Sequence, residues 1–155
     1  MSRVLEIRRD DVTGADVVAL IRLHLESMHA QSPPESVHAL GLDALRRPDV
    51  TFWSVWDGAE LAGCGALKEL DREHGEIKSM RTAPEHLRKG VAARLLDHIV
   101  AEAKRRSYRR ISLETGSTDG FVPALKLYER FGFERCGPFG DYRDDPFSIF
   151  MTKAL

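Results

Sequence analysis

Between residues 50 and 82 the chain keeps an apolar period of two, or an unbroken apolar run, through three consecutive segments, VTFWSVWD, ELAGCGALKEL and HGEIKSMRT. Alternation of this kind fits a strand with one buried face, and a continuous run fits a strand covered on both. Asp57-Gly58 is a hairpin turn between the first two segments, and Arg72 to Gly75 turns between the next pair. Antiparallel strands can be joined so tightly, whereas a parallel pair needs a crossover of a dozen or more residues. Three adjoining antiparallel strands are therefore the frame around which the rest must pack.

The period then changes. In VAARLLDHIVAEA the apolar residues Val91, Leu95, Leu96, Ile99, Val100 and Ala103 recur at helical spacing, predicting a helix from about Val91 to Ser107. RRISLETG follows as an apolar strand, VPALKLYERFGF as a helix ending at Gly132, and PFSIFMTKAL as a last extended segment. Upstream, VLEIRR reads as a short strand. TGADVVALIRLHLESMHAQ reads as a helix with a stripe of Val17, Leu20, Ile21, Leu23, Leu25 and Met28, capped by Thr13 or Asp16. A break at SPPE precedes a second short helix, SVHALGLDALRR, stopped by Pro48. The order β, α, α, three β, α, β, α, β predicts an α/β fold, with a mixed and mostly antiparallel central sheet flanked by helices.

A length of 155 residues suits one domain spanning 1–155. The net charge of −1 gives no basis for wholesale attraction to nucleic acid. The basic runs Lys104-Arg105-Arg106 and Arg109-Arg110 fall where a helix closes and a strand opens, positions where cations complement a helix C-terminus. No run of about 18 apolar residues is present and the N-terminus lacks a signal-peptide core, so a cytoplasmic protein without membrane partners is expected. Cys64 and Cys136 stand apart from other cysteines and from histidines at ligand spacing, so free thiols and no metal are expected.

The stretch HLRKGVAARLL carries the first chemical signal. Gly90 sits where a helix begins, preceded by Arg88 and Lys89. The first N–H groups of a helix have no partner within it, the macrodipole is positive there, and a glycine admits close approach to the main chain. An anion such as a phosphate suits that position, and a plain turn glycine before a core helix is the other reading.

EIKSMRTAPEHLRKGVAARLLDHIVAEAKRRSYRRISLET resembles the acyl-CoA-binding core of the GCN5-related N-acetyltransferases, and ALKLYERFGFE resembles the last helix of that superfamily. The resemblance implies an acetyl-CoA-dependent N-acyltransferase with acetyl-CoA as co-substrate. It places the pyrophosphate of coenzyme A on Arg88, Lys89, Gly90, Val91, Ala92 and Ala93, and the thioester and pantetheine on Met80, Arg81 and Thr82. It also sets Tyr128 beside the departing sulfur as a proton donor, and offers Glu76 as the base, with a water chain as the alternative. Two positions depart from the family pattern: Leu87 where Gln or Arg is preferred, and Phe121 where an Asn is common.

By the same resemblance the acceptor is met by HAQSPPESVHAL and FGDYRDDPFSIF, with His29, Ser32, Tyr142 and Asp145 as its candidate contacts, among Gln31, His38, Arg143 and Asp144. The expected reaction is direct attack by a primary amine of a small molecule in a ternary complex, since no Cys or Ser is placed to carry a covalent intermediate. Acetylation of a protein amine, and a catalytically silent acyl-CoA-sensing module, are the alternatives. Association into a homodimer is left open.

Overall fold

In a computed structural model, which describes residues 4–155, seven strands form one sheet in the order β1-β2-β3-β4-β5-β7-β6. The chain runs β1 (Glu6–Arg9), α1 (Ala15–Gln31), α2 (Leu42–Leu45), β2 (Val50–Asp57), β3 (Glu60–Asp71) and β4 (His74–Thr82), then α3 (Val91–Arg105), β5 (Arg110–Gly116), α4 (Val122–Arg130), β6 (Glu134–Cys136) and β7 (Ser148–Ala154). Every neighbouring pair is antiparallel except β4 with β5, the two strands joined through α3. The mixed, mostly antiparallel sheet expected from the sequence is the one observed.

The period of two divides the core between the two faces of the sheet. Phe52, Cys64 and Ala66 turn to one side and meet Val17, Leu20 and Ile21 of α1 and Leu45 of α2. Trp53, Val55 and Leu67 turn to the other, against Leu95, Leu96 and Ile99 of α3 and Leu125 and Leu127 of α4. Burial of such side chains is worth roughly 1.5–3 kcal/mol each. The two layers of helix thus clamp the sheet from opposite sides, and β4 and β5 lie between them. Among the described residues no helix is long and apolar enough to cross a membrane.

Four differences from the sequence reading have physical causes. The segment expected as a helix over residues 36–47 is instead a 3₁₀ turn at Pro34–Ser36, an extended stretch, and the four-residue α2. Gly41, in an extended conformation, starts α2 late, and the Lys78 ammonium holds the carbonyl of His38 at 3.1 Å, drawing the stretch across the sheet. The N-cap of α1 is Gly14, without a side-chain cap, rather than Thr13 or Asp16. On α1 itself Leu23 is exposed and His24 is buried in its place. β6 was not foreseen: three residues at an edge carry too short a pattern to read.

Candidate active site

β4 and β5 are paired only from His74↔Arg110 to Ile77↔Leu113. Beyond that point β4 continues to Thr82, hydrogen-bonded to β3 on its far side, and β5 continues to Gly116, hydrogen-bonded to β7. The facing edges of the two strands are left unpaired, and a slot of ≈ 190 Å³ opens between them. Unpaired strand edges present free N–H and C=O groups, so the slot is a ready place for an extended ligand to add hydrogen bonds.

β4 contains a bulge. Cys64 pairs with Arg81 and Ala66 with Lys78, so three steps along β4 match two along β3, and Ser79 takes a φ of 57°. The extra residue changes which side chains face which way. Glu76 and Lys78 lie on the α1 side, Met80 turns to the α3 side, and Arg81 returns to α1. Met80 can do so because Gly65 lies opposite: a Cβ there would sit 2.4 Å from the Met80 sulfur and 2.9 Å from a Leu95 methyl.

On the α1 side the polar groups are closely wired. The Arg81 guanidinium donates from Nε to Nδ1 of His24 at 3.0 Å. Burial, with the cations of Arg81 and Lys78, pushes His24 down to about 4, so its imidazole is neutral and accepts. Lys78 Nζ donates to Glu76 Oε2 at 3.2 Å and to the Tyr142 hydroxyl at 2.7 Å, and that hydroxyl donates to the same Glu76 oxygen at 2.5 Å. Glu76 and Lys78 are 3% and 9% exposed. Burial and the Glu76 carboxylate hold the Tyr142 phenol above its usual range. Glu114, on β5, also lines the slot, and burial raises its carboxyl above the ordinary carboxylate range.

On the opposite side Ile77, Met80, Leu113, Ala124 and Tyr128 line the slot. The Tyr128 ring packs edge-on against Phe133 at 5.7 Å. Its hydroxyl makes no hydrogen bond among the described residues, and burial alone pushes the phenol upward. A buried phenol held in its protonated form and without a partner is able to donate to whatever enters.

At the start of α3, Gly90 is the N-cap in the left-handed region, φ 78°, and no side chain caps the helix. The Gly90 carbonyl accepts from the Arg94 N–H at 3.0 Å, while the N–H groups of Val91, Ala92 and Ala93 precede the first intrahelical donor and so lack a partner. No heavy atom lies within 4 Å of where a Cβ on Gly90 would stand, so the site is open. Arg88 is exposed beside it, with a φ of 63°. Lys89 already has partners: its ammonium lies 3.1 Å from His86 Nδ1 and 3.8 Å from the Asp57 carboxylate.

The expected acceptor residues divide. Ser32 lines the slot, and Tyr142 reaches it indirectly through Lys78. Asp145 accepts from Ser36 Oγ at 2.5 Å and so ties the 139–148 loop to the turn after α1. His29 is exposed on α1 and does not line the slot. Glu76, the expected base, is engaged by Lys78 and Tyr142 rather than free in the slot. Lys78, His24 and Glu114 are added to the site. A charged residue inside the apolar strand ISLETG was the available signal for Glu114; His24 had none, since its burial depends on Arg81.

A family model described as the acetyltransferase (GNAT) family matches residues 17–133. The uncharacterized N-acetyltransferase YsnE of Bacillus subtilis (strain 168) is 64% identical over 151 residues, 97% of this chain and 100% of its own length. The uncharacterized N-acetyltransferase YedL of Escherichia coli (strain K12) is 54% identical over 149 residues, 96% of this chain and 94% of its own. In fold, the chain is similar to a GNAT family acetyltransferase from Elizabethkingia anophelis with acetyl-CoA bound, at a TM-score of 0.73 and 19% identity over 97% of this chain and 98% of that one.

Proposed function

The chain belongs to the acetyltransferase (GNAT) family, and from that membership we propose that it moves the acetyl group of acetyl-CoA to the primary amine of a small molecule by direct attack in a ternary complex. The observation that carries the reading is the slot: between the unpaired edges of β4 and β5 it brings together a buried phenol, Tyr128, and a buried carboxyl, Glu114.

The residues suit acetyl-CoA. The N–H groups of Val91, Ala92 and Ala93, with Arg88 beside them, receive the pyrophosphate, and the absence of a Cβ on Gly90 keeps the approach clear. The free edge of β4 near Met80 and Thr82 offers main-chain N–H groups to the pantetheine and to the thioester carbonyl, whose oxygen gains negative charge during attack. The co-substrate supplies the activated acyl carbon.

Glu114 takes the base role in place of Glu76. Burial raises the Glu114 carboxyl and so makes it a stronger proton acceptor than an ordinary carboxylate, whereas Glu76 is already held by Lys78 and Tyr142. Glu114 first takes a proton from the acceptor's ammonium and passes it to solvent; as the amine nitrogen then bonds to the acetyl carbon and the carbon–sulfur bond breaks, Glu114 takes the second proton lost by nitrogen and Tyr128 gives its own to the thiolate. Both then exchange with solvent.

Release of free CoA from acetyl-CoA, measured against a panel of small amines, tests the reading. Turnover with at least one amine, well above the rate without acceptor, is expected. Acetyl-CoA binding with no amine-dependent release would leave a sensing module.

A further inference from the structure

Two of the charges along the α1 side of the slot are not paired with one another or with any neighbour among the described residues. Lys78 is neutralised by Glu76, and His24 is neutral. That leaves Arg81 and Glu114. Among the described residues Arg81 makes no ion pair; its only polar partners are the imidazole of His24 and, at 3.5 Å, the His24 carbonyl. Glu114 makes no ion pair among them either; the Ser148 hydroxyl and the more distant Lys78 favour its charged form, and burial outweighs them. A half-buried charge is costly when nothing offsets it, and here one of each sign lines the same slot.

The free part of Arg81 has a definite shape. Nε is committed to His24 Nδ1, and the second nitrogen is only weakly held by the His24 carbonyl. The outer end of the guanidinium, with its pair of N–H directions, is what remains for a ligand, and that end matches the two oxygens of a carboxylate. A second observation points the same way. Ser79, 8% exposed and at the bulge two residues before Arg81, has a buried hydroxyl with no hydrogen-bond partner among the described residues, and it lines the same slot. The bulge turns Arg81 toward α1, so it lies on the other side of the sheet from the start of α3 and is poorly placed for the phosphates of coenzyme A.

We propose that Arg81, assisted by Ser79, receives a carboxylate of the acceptor while Glu114 receives its ammonium, so that the acceptor is an amino-acid-like zwitterion. The proposal rests on the transferase reading for the identity of the second ligand. It makes Arg81 a specificity-determining residue, with His24 as the positioning residue that fixes the guanidinium.

The test compares matched ligands: the common amino acids, their carboxamides, and the corresponding amines without a carboxyl group. CoA release and calorimetric binding are both measured, on wild type, Arg81→Gln and Arg81→Lys. Wild type should favour the acids over their amides by on the order of 10²-fold in kcat/KM, as for other buried charge pairs that lose a partner. Arg81→Gln should erase that preference chiefly through KM, with acetyl-CoA still bound, and Arg81→Lys should keep part of it. Equal use of acids and amides by wild type, or an undiminished preference in Arg81→Gln, overturns the proposal. Should no amine release CoA, carboxylate-dependent calorimetric binding that is lost in Arg81→Gln still supports the carboxylate site and defeats only the transferase reading; no such binding defeats the site. If Arg81→Gln does not fold, the acid and amide comparison on wild type and Arg81→Lys decides.

Discussion

Tyr128 is the residue whose environment speaks most directly to its role. The phenol is buried, burial raises it, and its hydroxyl makes no hydrogen bond among the described residues, while the ring is anchored on Phe133. Tyr128→Phe keeps the ring and removes the proton. On the proposed mechanism kcat should fall by about 10²- to 10⁴-fold, and kcat/KM with it, while acetyl-CoA affinity stays within about twofold. A Phe variant with unaltered turnover, where chemistry limits the rate, would leave Tyr128 as packing. The residue scale is also where the sequence told least. That Tyr128 lines the slot agrees with what the resemblance of ALKLYERFGFE to the family's last helix implied for its place. The state of Glu76 was not legible, because its burial depends on Lys78 two residues along and on Tyr142 from a distant loop. The surroundings of Lys89 were hidden in the same way, since Asp57 is remote in the chain and adjacent in space.

Among the elements, β2, β4 and α3 were readable because each repeats one period over many residues, and the bounds of β4 were read as they stand, His74–Thr82. The segment between α1 and α2 was not, since its apolar spacing suits a helix while its position is set by the contacts of His38 and Ser36 with Lys78 and Asp145. The start of α3 makes two demands on Gly90, which two substitutions separate. Its φ of 78° is strained for an L side chain, so Gly90→Ala should lower stability by about 1–2 kcal/mol in a denaturant titration. Asn tolerates that region, so Gly90→Asn should stay close to wild type in stability. Both variants place atoms in the open space above the helix start, and both should weaken acetyl-CoA binding by at least about tenfold. Undiminished affinity in Gly90→Asn would move the phosphate site elsewhere.

For the whole molecule, one buried group links stability to acidity. His24 falls from the ordinary 6.5 to about 4 on folding, so the unfolded chain binds its proton first. The stabilisation from this group is therefore complete above about pH 6.5 and is lost as the pH falls from there toward 4. The shift corresponds to about 3 kcal/mol. His24→Asn can still offer an acceptor to Arg81 but does not titrate. Urea unfolding at pH 7 and pH 4 should show wild type losing more stability than the variant, by up to that amount, and equal losses would mean that His24 is not the sensor. A different consequence follows from the bulge in β4. Met80 and Arg81 adjoin in the chain, yet one packs beneath α3, whose open start is the proposed coenzyme site, and the other reaches α1 among the groups proposed to face the amine. On the proposed function, neighbouring codons would thus sit under separate selection, and a lineage could change the acceptor it takes while inheriting the machinery for its acyl donor intact.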